Sequence, residues 1–133
     1  MRGTRFDSIQ EKLIKQDFLS EIQLQNKSGY DHSFLLNEED QEGKKVVLTL
    51  TASDRSLQLK VSTNKPTIFV YTGNFLQGTP ERGKEIYENN AGIALETQYL
   101  PGSPNNLQWP QHSSFLQPAQ SYQSITRYCF VIL

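Results

Sequence analysis

Strict alternation of apolar and polar side chains marks the middle of the chain. In residues 45–53, the apolar side chains predicted to share one face of a strand are Val46, Leu48 and Leu50. In residues 56–63 they are Leu57, Leu59 and Val61. The turn-like segment Ser-Asp-Arg-Ser at 53–56 joins the two stretches. The pattern predicts an antiparallel hairpin whose second strand buries one face.

Clusters of β-branched and aromatic residues predict further strands on either side of this hairpin. These lie at residues 21–25, 33–36, 67–72, 92–99 and 122–131. The stretch 67–72 is apolar on both faces, which is typical of a central strand. Ile9, Leu13 and Ile14 have weak helical spacing and predict a loop or short helix, whereas the polar segment 73–90 predicts a long loop. The predicted fold is all-β, a sandwich or barrel-like arrangement.

Composition and charge narrow the class of protein. The 133 residues make one domain or part of one, and 14 acidic against 13 basic residues give a net charge of −1. That balance argues against a nucleic acid or a membrane surface as partner, since both need a basic face. The single cysteine, Cys129, excludes an intrachain disulfide. No signal-peptide pattern or long apolar span is present, so the expected location is cytoplasmic.

One carboxylate, Glu96, interrupts a run that otherwise has the composition of a buried strand. Ionised carboxylates are costly to desolvate and are rarely buried without a partner. Glu96 is therefore either a strand residue whose side chain faces water or a carboxylate whose pKa is adjusted for acid–base chemistry.

The other candidates for acid–base chemistry are Asp31, His32 and His112. Adjacent strand residues point to opposite faces, so Asp31 and His32 are not expected to share a site. Asp31 is alternatively a turn residue bonded to its own backbone, His32 a hydrogen-bonded structural histidine, and His112 a solvated loop residue. Two histidines without spaced partners make a poor metal site.

Aromatic residues raise the question of carbohydrate binding, since flat rings contact sugar C–H groups while carboxylates and amides bind hydroxyls. The candidates are Tyr30, Tyr71, Phe75, Tyr99 and Trp109. Packing in the core or in loops is the more common explanation of any one such ring. Residue chemistry alone thus leads to a β domain with a candidate polar cleft.

Three motifs in register carry a more specific signal. Gly-Tyr-Asp-His-Ser-Phe at 29–34, Tyr-Thr-Gly-Asn-Phe-Leu at 71–76 and Leu-Glu-Thr-Gln at 95–98 resemble, in order and separation, the C-terminal part of aldose 1-epimerases (galactose mutarotases). Residues 2–7 resemble the preceding segment, although Arg5 stands where the family usually has proline. Residues 101–110 resemble the family's Pro- and Asn-containing loop after the glutamate strand.

The resemblance implies part of a galactose-mutarotase-like β-supersandwich that interconverts the α and β anomers of hexoses such as galactose and glucose, without cofactor or metal. By resemblance, Glu96 is the general base that takes the proton from the C1 hydroxyl. Asp31 occupies the position of an aspartate that binds sugar hydroxyls.

Two departures limit what the resemblance implies. Phe69 stands where some family members have a substrate-binding glutamine. Nothing in the chain matches the family's N-terminal half, which supplies an arginine, a sugar-contacting histidine and the histidine that protonates the ring oxygen.

We therefore interpret residues 1–133 as the C-terminal portion of an aldose 1-epimerase domain, of low or no activity alone. Self-association through an exposed sheet face is a further expectation. The alternative is a non-catalytic carbohydrate-binding or interaction module on the same β scaffold.

Overall fold

The computed structural model describes residues 4, 6–17, 29–37, 40, 42–83 and 85–133. Within them the chain forms strands β1 (Asp31–Leu35), β2 (Val46–Thr51), β3 (Leu57–Thr63), β4 (Thr67–Tyr71), β5 (Ala94–Gln98) and β6 (Thr126–Ile132). Two short 3-10 helices cover Ile14–Asp17 and Ser103–Asn105. The all-β prediction is confirmed. The strand predicted at 21–25 lies outside the described residues.

The chain divides into two compact units. The first comprises Met1–His32 and Phe69–Leu95, and the second Ser33–Ile68 and Glu96–Leu133. The boundary between them falls within β1, β4 and β5.

Strands β1, β4 and β5 form a three-stranded sheet in the order β1-β4-β5. The backbone N–H of Leu36 donates to the carbonyl of Pro66, and that of Thr72 donates to the carbonyl of Tyr30, so β1 and β4 run antiparallel. The central place predicted for residues 67–72 is confirmed: β4 lies between two neighbours, and Thr67 and Ile68 are buried. All five residues of β4 are buried or half-buried, so both of its faces are largely shielded from water, and its sequence accordingly lacks alternation.

The second sheet has the order β2-β3-β6, with both pairs antiparallel, and lies entirely in the second unit. The predicted hairpin is therefore confirmed, but the predicted face of Val46 is wrong. The register shifts between Val46, opposite Ser62, and Leu48, opposite Val61. This β-bulge places Val46 on the same face as Ser62, away from Leu48. Alternation in one strand cannot reveal such an extra residue.

The turn between β2 and β3 is closed by Asp54. Its carboxylate accepts hydrogen bonds from the backbone N–H of Ser56, at 3.0 Å, and from the Ser56 hydroxyl, at 2.7 Å. Arg55 completes the turn with a positive φ of 56°. These contacts to the charged form hold the pKa of Asp54 below its ordinary value of 3.8.

The lowered pKa of Asp54 makes this turn sensitive to acid. Because the carboxyl pKa is lower in the folded chain, its contribution to stability is present above pH 3.8 and is lost as the pH falls through the lowered folded value. We expect an NMR titration of the Asp54 carboxyl to have a midpoint below 3.8, with the Ser56 amide shift following it. Asp54→Asn keeps an acceptor oxygen and should hold the turn without this pH dependence. A midpoint at or above 3.8 contradicts the assignment.

The last strand begins later than predicted, at Thr126 rather than at residue 122. The side chain of Asn64 accepts a hydrogen bond from the backbone N–H of Ile125 and donates one to the carbonyl of Gln123. Side-chain contacts thus hold the segment before Thr126, where the prediction expected a strand ladder.

Strands β2, β3 and β6 present one apolar face, because residues opposite each other in the register share a face. We call this set the open face: Leu48, Leu50, Leu57, Leu59, Val61, Tyr128, Phe130 and Ile132. Val61 is fully buried, whereas Phe130 is 65% exposed and Ile132 is 87% exposed. The open face is therefore buried at Val61 and exposed to solvent along β6.

Candidate functional site

Asp31, the predicted sugar-binding carboxylate, is the first residue of β1 and is half-buried. The alternative interpretation of Asp31 as a turn residue is wrong, because the residue lies in the sheet. Its backbone N–H donates to Nδ1 of His32 at 3.0 Å. As an acceptor, this nitrogen carries no proton, so a neutral His32 has its ring proton on Nε2.

His32 packs among aromatic rings of the first unit. Its ring centroid lies 4.8 Å from that of Phe6 and 6.5 Å from that of Tyr30. Ring packing and the bond from Asp31 agree with the interpretation of His32 as a hydrogen-bonded structural histidine.

Tyr30, directly before Asp31, is held by buried side chains that the sequence analysis did not assign. Its backbone N–H donates to the hydroxyl of Thr72 at 2.9 Å, and its carbonyl accepts from Nδ2 of Asn74 at 2.9 Å. Thr72 is 2% exposed and Asn74 is 1% exposed. We call Thr72, Asn74 and Asn90 the backbone clamp; Asn90 donates from Nδ2 to Oδ1 of Asn74 at 3.2 Å and to the Thr72 carbonyl at 2.9 Å.

Two glycines make room for the backbone clamp. A side-chain carbon on Gly29 would lie 2.3 Å from the Thr72 hydroxyl and 2.4 Å from Oδ1 of Asn74. Gly73, between the two clamp residues, has φ of +65°, and a side-chain carbon there would lie 2.8 Å from the carbonyl oxygen of Gly92. The glycines of the motifs at 29–34 and 71–76 therefore serve one hydrogen-bonded unit. In the sequence, the only sign of this unit was the presence of the two motifs. Nothing in the sequence showed that the two motifs are in contact.

Glu96, the predicted general base, lies in the middle of β5, and its side chain is exposed. The neighbouring Thr97 hydroxyl contacts the Thr126 hydroxyl of β6 at 2.5 Å. Successive strand residues point to opposite faces, so Glu96 points away from β6. One residue beyond Thr97, the carbonyl of Gln98 accepts a hydrogen bond from the Thr67 hydroxyl at 2.7 Å. These contacts hold the strand in place and leave the Glu96 side chain exposed to solvent.

Lys65 is a buried cation of the second unit. It is 7% exposed, and its ammonium donates to the Tyr122 hydroxyl at 2.7 Å. The ammonium also lies 4.1 Å from the ring centroid of Tyr122 and 5.0 Å from that of Tyr99. The hydrogen bond from Lys65 lowers the pKa of the Tyr122 phenol below its ordinary value of 10.0. Cation–π contacts compensate for burying this charge.

Two residues considered in the sequence, Trp109 and His112, line a surface depression of about 200 Å³ in the second unit. Asn106 and Gln111 contribute amides to the same depression. The Gln111 side-chain oxygen accepts from the backbone N–H of Leu100, which ties this loop to the end of β5.

Asp31 belongs to the first unit and Glu96 to the second. The contacts of each carboxylate are therefore described within its own unit. The role of Asp31 in sugar binding and that of Glu96 as general base stay predictions. Within the described part of the chain, no group of three or more His, Cys, Asp or Glu residues is placed to hold a metal ion. Nor does any helix in that part have the length and apolar character to cross a membrane.

The structure thus defines an all-β protein with an exposed strand glutamate and a clamped Gly-Tyr-Asp segment. The chain belongs to the aldose 1-epimerase family, whose model matches residues 1–129. The resemblance noted from the three motifs is thereby confirmed.

Individual relatives agree with the family match. The chain is 46% identical to the aldose 1-epimerase of Escherichia coli strain K12 over 129 residues, which cover 97% of this chain and 37% of that enzyme. Identity to the aldose 1-epimerase of Haemophilus influenzae is 42%, over 96% of this chain and 36% of that enzyme. The galactose mutarotase of Mus musculus is 37% identical over 78% of this chain and 30% of its own length. The chain thus spans about a third of the length of these relatives.

Proposed function

We propose that the chain is the C-terminal portion of an aldose 1-epimerase domain, which interconverts the α and β anomers of hexoses such as galactose and glucose. The observation that carries the proposal is Glu96, an accessible carboxylate on a strand held from both sides, within a chain of this family. The name of the murine relative, galactose mutarotase, supports galactose as substrate.

In the proposed reaction, Glu96 accepts the proton of the C1 hydroxyl while the bond between C1 and the ring oxygen breaks. The electron pair of that bond moves to the ring oxygen, which takes a proton from an acid that, by the resemblance, the unmatched portion of the enzyme supplies, and C1 becomes an aldehyde carbon. Rotation about the C1–C2 bond and closure in the reverse sense give the other anomer. Asp31 binds sugar hydroxyls and holds the ring in place for this transfer.

A chimera tests the proposal. Residues 1–129 of this chain replace the matched segment of the Escherichia coli aldose 1-epimerase, which supplies the remaining length. We expect polarimetry with freshly dissolved α-galactose to show mutarotation at least ~100-fold faster than the spontaneous reaction under the same conditions. The unaltered Escherichia coli enzyme is the positive control.

A folded chimera that binds galactose without accelerating mutarotation would contradict the catalytic proposal and favour the alternative of a carbohydrate-binding module. Isothermal titration calorimetry with galactose separates that outcome from an inert chain. The cytoplasmic location stays a prediction.

A further inference from the structure

We propose that the backbone clamp, Thr72 with Asn74 and Asn90, is a positioning device that sets the Asp31 carboxylate for sugar binding. The proposal rests on the proposed function, since it assumes that Asp31 binds sugar hydroxyls. All the residues involved belong to the first unit.

The clamp fixes both polar groups of the Tyr30 backbone. The Thr72 hydroxyl, as acceptor, takes the Tyr30 N–H at 2.9 Å, and Nδ2 of Asn74 donates to the Tyr30 carbonyl at 2.9 Å. The backbone N–H of Thr72 also donates to this carbonyl, at 3.1 Å. The peptide plane that joins Tyr30 to Asp31 contains that carbonyl, so its orientation sets where the Asp31 side chain begins.

Hydrogen-bond directions within the clamp are determined by the available protons. The Thr72 hydroxyl has one proton and two near acceptors, Oδ1 of Asn74 at 2.9 Å and the Tyr30 carbonyl at 3.3 Å. The shorter contact and the acceptance of the Tyr30 N–H together direct this proton to Asn74. Asn74 then has its oxygen toward Thr72 and Asn90 and its amide nitrogen toward Tyr30.

The clamp is more extensive than a strand pair requires. The backbone bond from Thr72 to Tyr30 already continues the ladder between β1 and β4. Asn90 is half-buried, whereas Thr72 and Asn74 are almost fully buried, and burying polar groups is costly unless each is bonded. Their contacts converge on the residue before Asp31, which indicates that the arrangement fixes the carboxylate as well as the sheet.

The first test uses the 133-residue chain itself. Thr72→Val removes the hydroxyl with little change of shape, and Thr72→Ser keeps it as the matched control. We expect hydrogen exchange of the Tyr30 amide to be about tenfold faster or more in the valine variant and close to the parent in the serine variant. Equal exchange rates in the parent, the valine variant and the serine variant would overturn the proposal that the Thr72 hydroxyl holds the Tyr30 backbone.

The second test measures catalysis in the chimera and combines Thr72→Val with Asp31→Ala in a double-mutant cycle. Thr72→Val alone should raise KM for galactose roughly tenfold, with kcat within about threefold of the parent. In the Asp31→Ala background the same substitution should leave KM unchanged, because the residue acts through Asp31. Thr72→Ser should restore the parent KM.

The outcomes separate the clamp from the proposed function. If Asp31→Ala alone leaves KM unchanged, the role of Asp31 in the proposed function is wrong. If Asp31→Ala raises KM but Thr72→Val has no effect, or has the same effect in both backgrounds, Thr72 is only structural and the positioning proposal is overturned. If the valine variant does not fold, Asn74→Ala removes the donor to the Tyr30 carbonyl and enters the same cycle.

Discussion

Replacing Glu96 with glutamine is expected to slow mutarotation by the chimera by roughly 10²–10⁴-fold, the contribution of one positioned general base. Glutamine has nearly the same shape and still forms hydrogen bonds, but its amide does not accept the C1 proton. Because the substitution leaves the strand contacts of Thr97 and Gln98 in place, we expect galactose binding to change little.

The measurement is polarimetry for turnover and calorimetry for galactose binding, on the same preparation. Glu85→Gln is the matched control, since Glu85 is also an exposed carboxylate but lies in the loop 73–90. It should leave both readings at the parent value. Retained turnover in the Glu96→Gln chimera would show that another group takes the proton.

The isolated 133-residue chain is expected to accelerate mutarotation far less than the chimera, with a rate close to the spontaneous one. The matched stretch is 37% of the Escherichia coli enzyme. By the resemblance, the acid that protonates the ring oxygen and part of the sugar site come from the portion without a match in this chain. One missing acid costs roughly 10²–10⁴ in rate, and lost sugar contacts weaken binding as well.

This comparison needs a check on the physical state of the isolated chain. The exposed part of the open face includes Phe130 and Ile132 on the edge strand β6, and such a surface binds other apolar surfaces. We expect the isolated chain to bind a fluorescent dye for apolar surface more strongly than the chimera, and size-exclusion chromatography reports self-association. An isolated chain with the turnover of the chimera would contradict the expectation of low activity.

Much of the fold could be predicted because it depends on local patterns. Alternation at residues 56–63 correctly predicted β3, and the two-sided apolar run at 67–72 correctly predicted a central strand. The predictions were wrong where one extra residue sets the face of a side chain, or where a distant side chain sets the residue at which a strand begins. The bulge reversed the face of Val46, and Asn64 and Lys65 hold the segment that was predicted to begin β6.

By itself the sequence determined the all-β class, the family and the two carboxylates proposed for the site, because strand periodicity and short motifs are local properties of the chain. Only the tertiary structure decided how the Gly-Tyr-Asp and Thr-Gly-Asn motifs act together. Their hydrogen bonds join residues 42 and 44 positions apart, and no local pattern specifies such contacts. The exposure of Glu96 was likewise decided by folding, because the side to which a strand residue points depends on what packs against its neighbours.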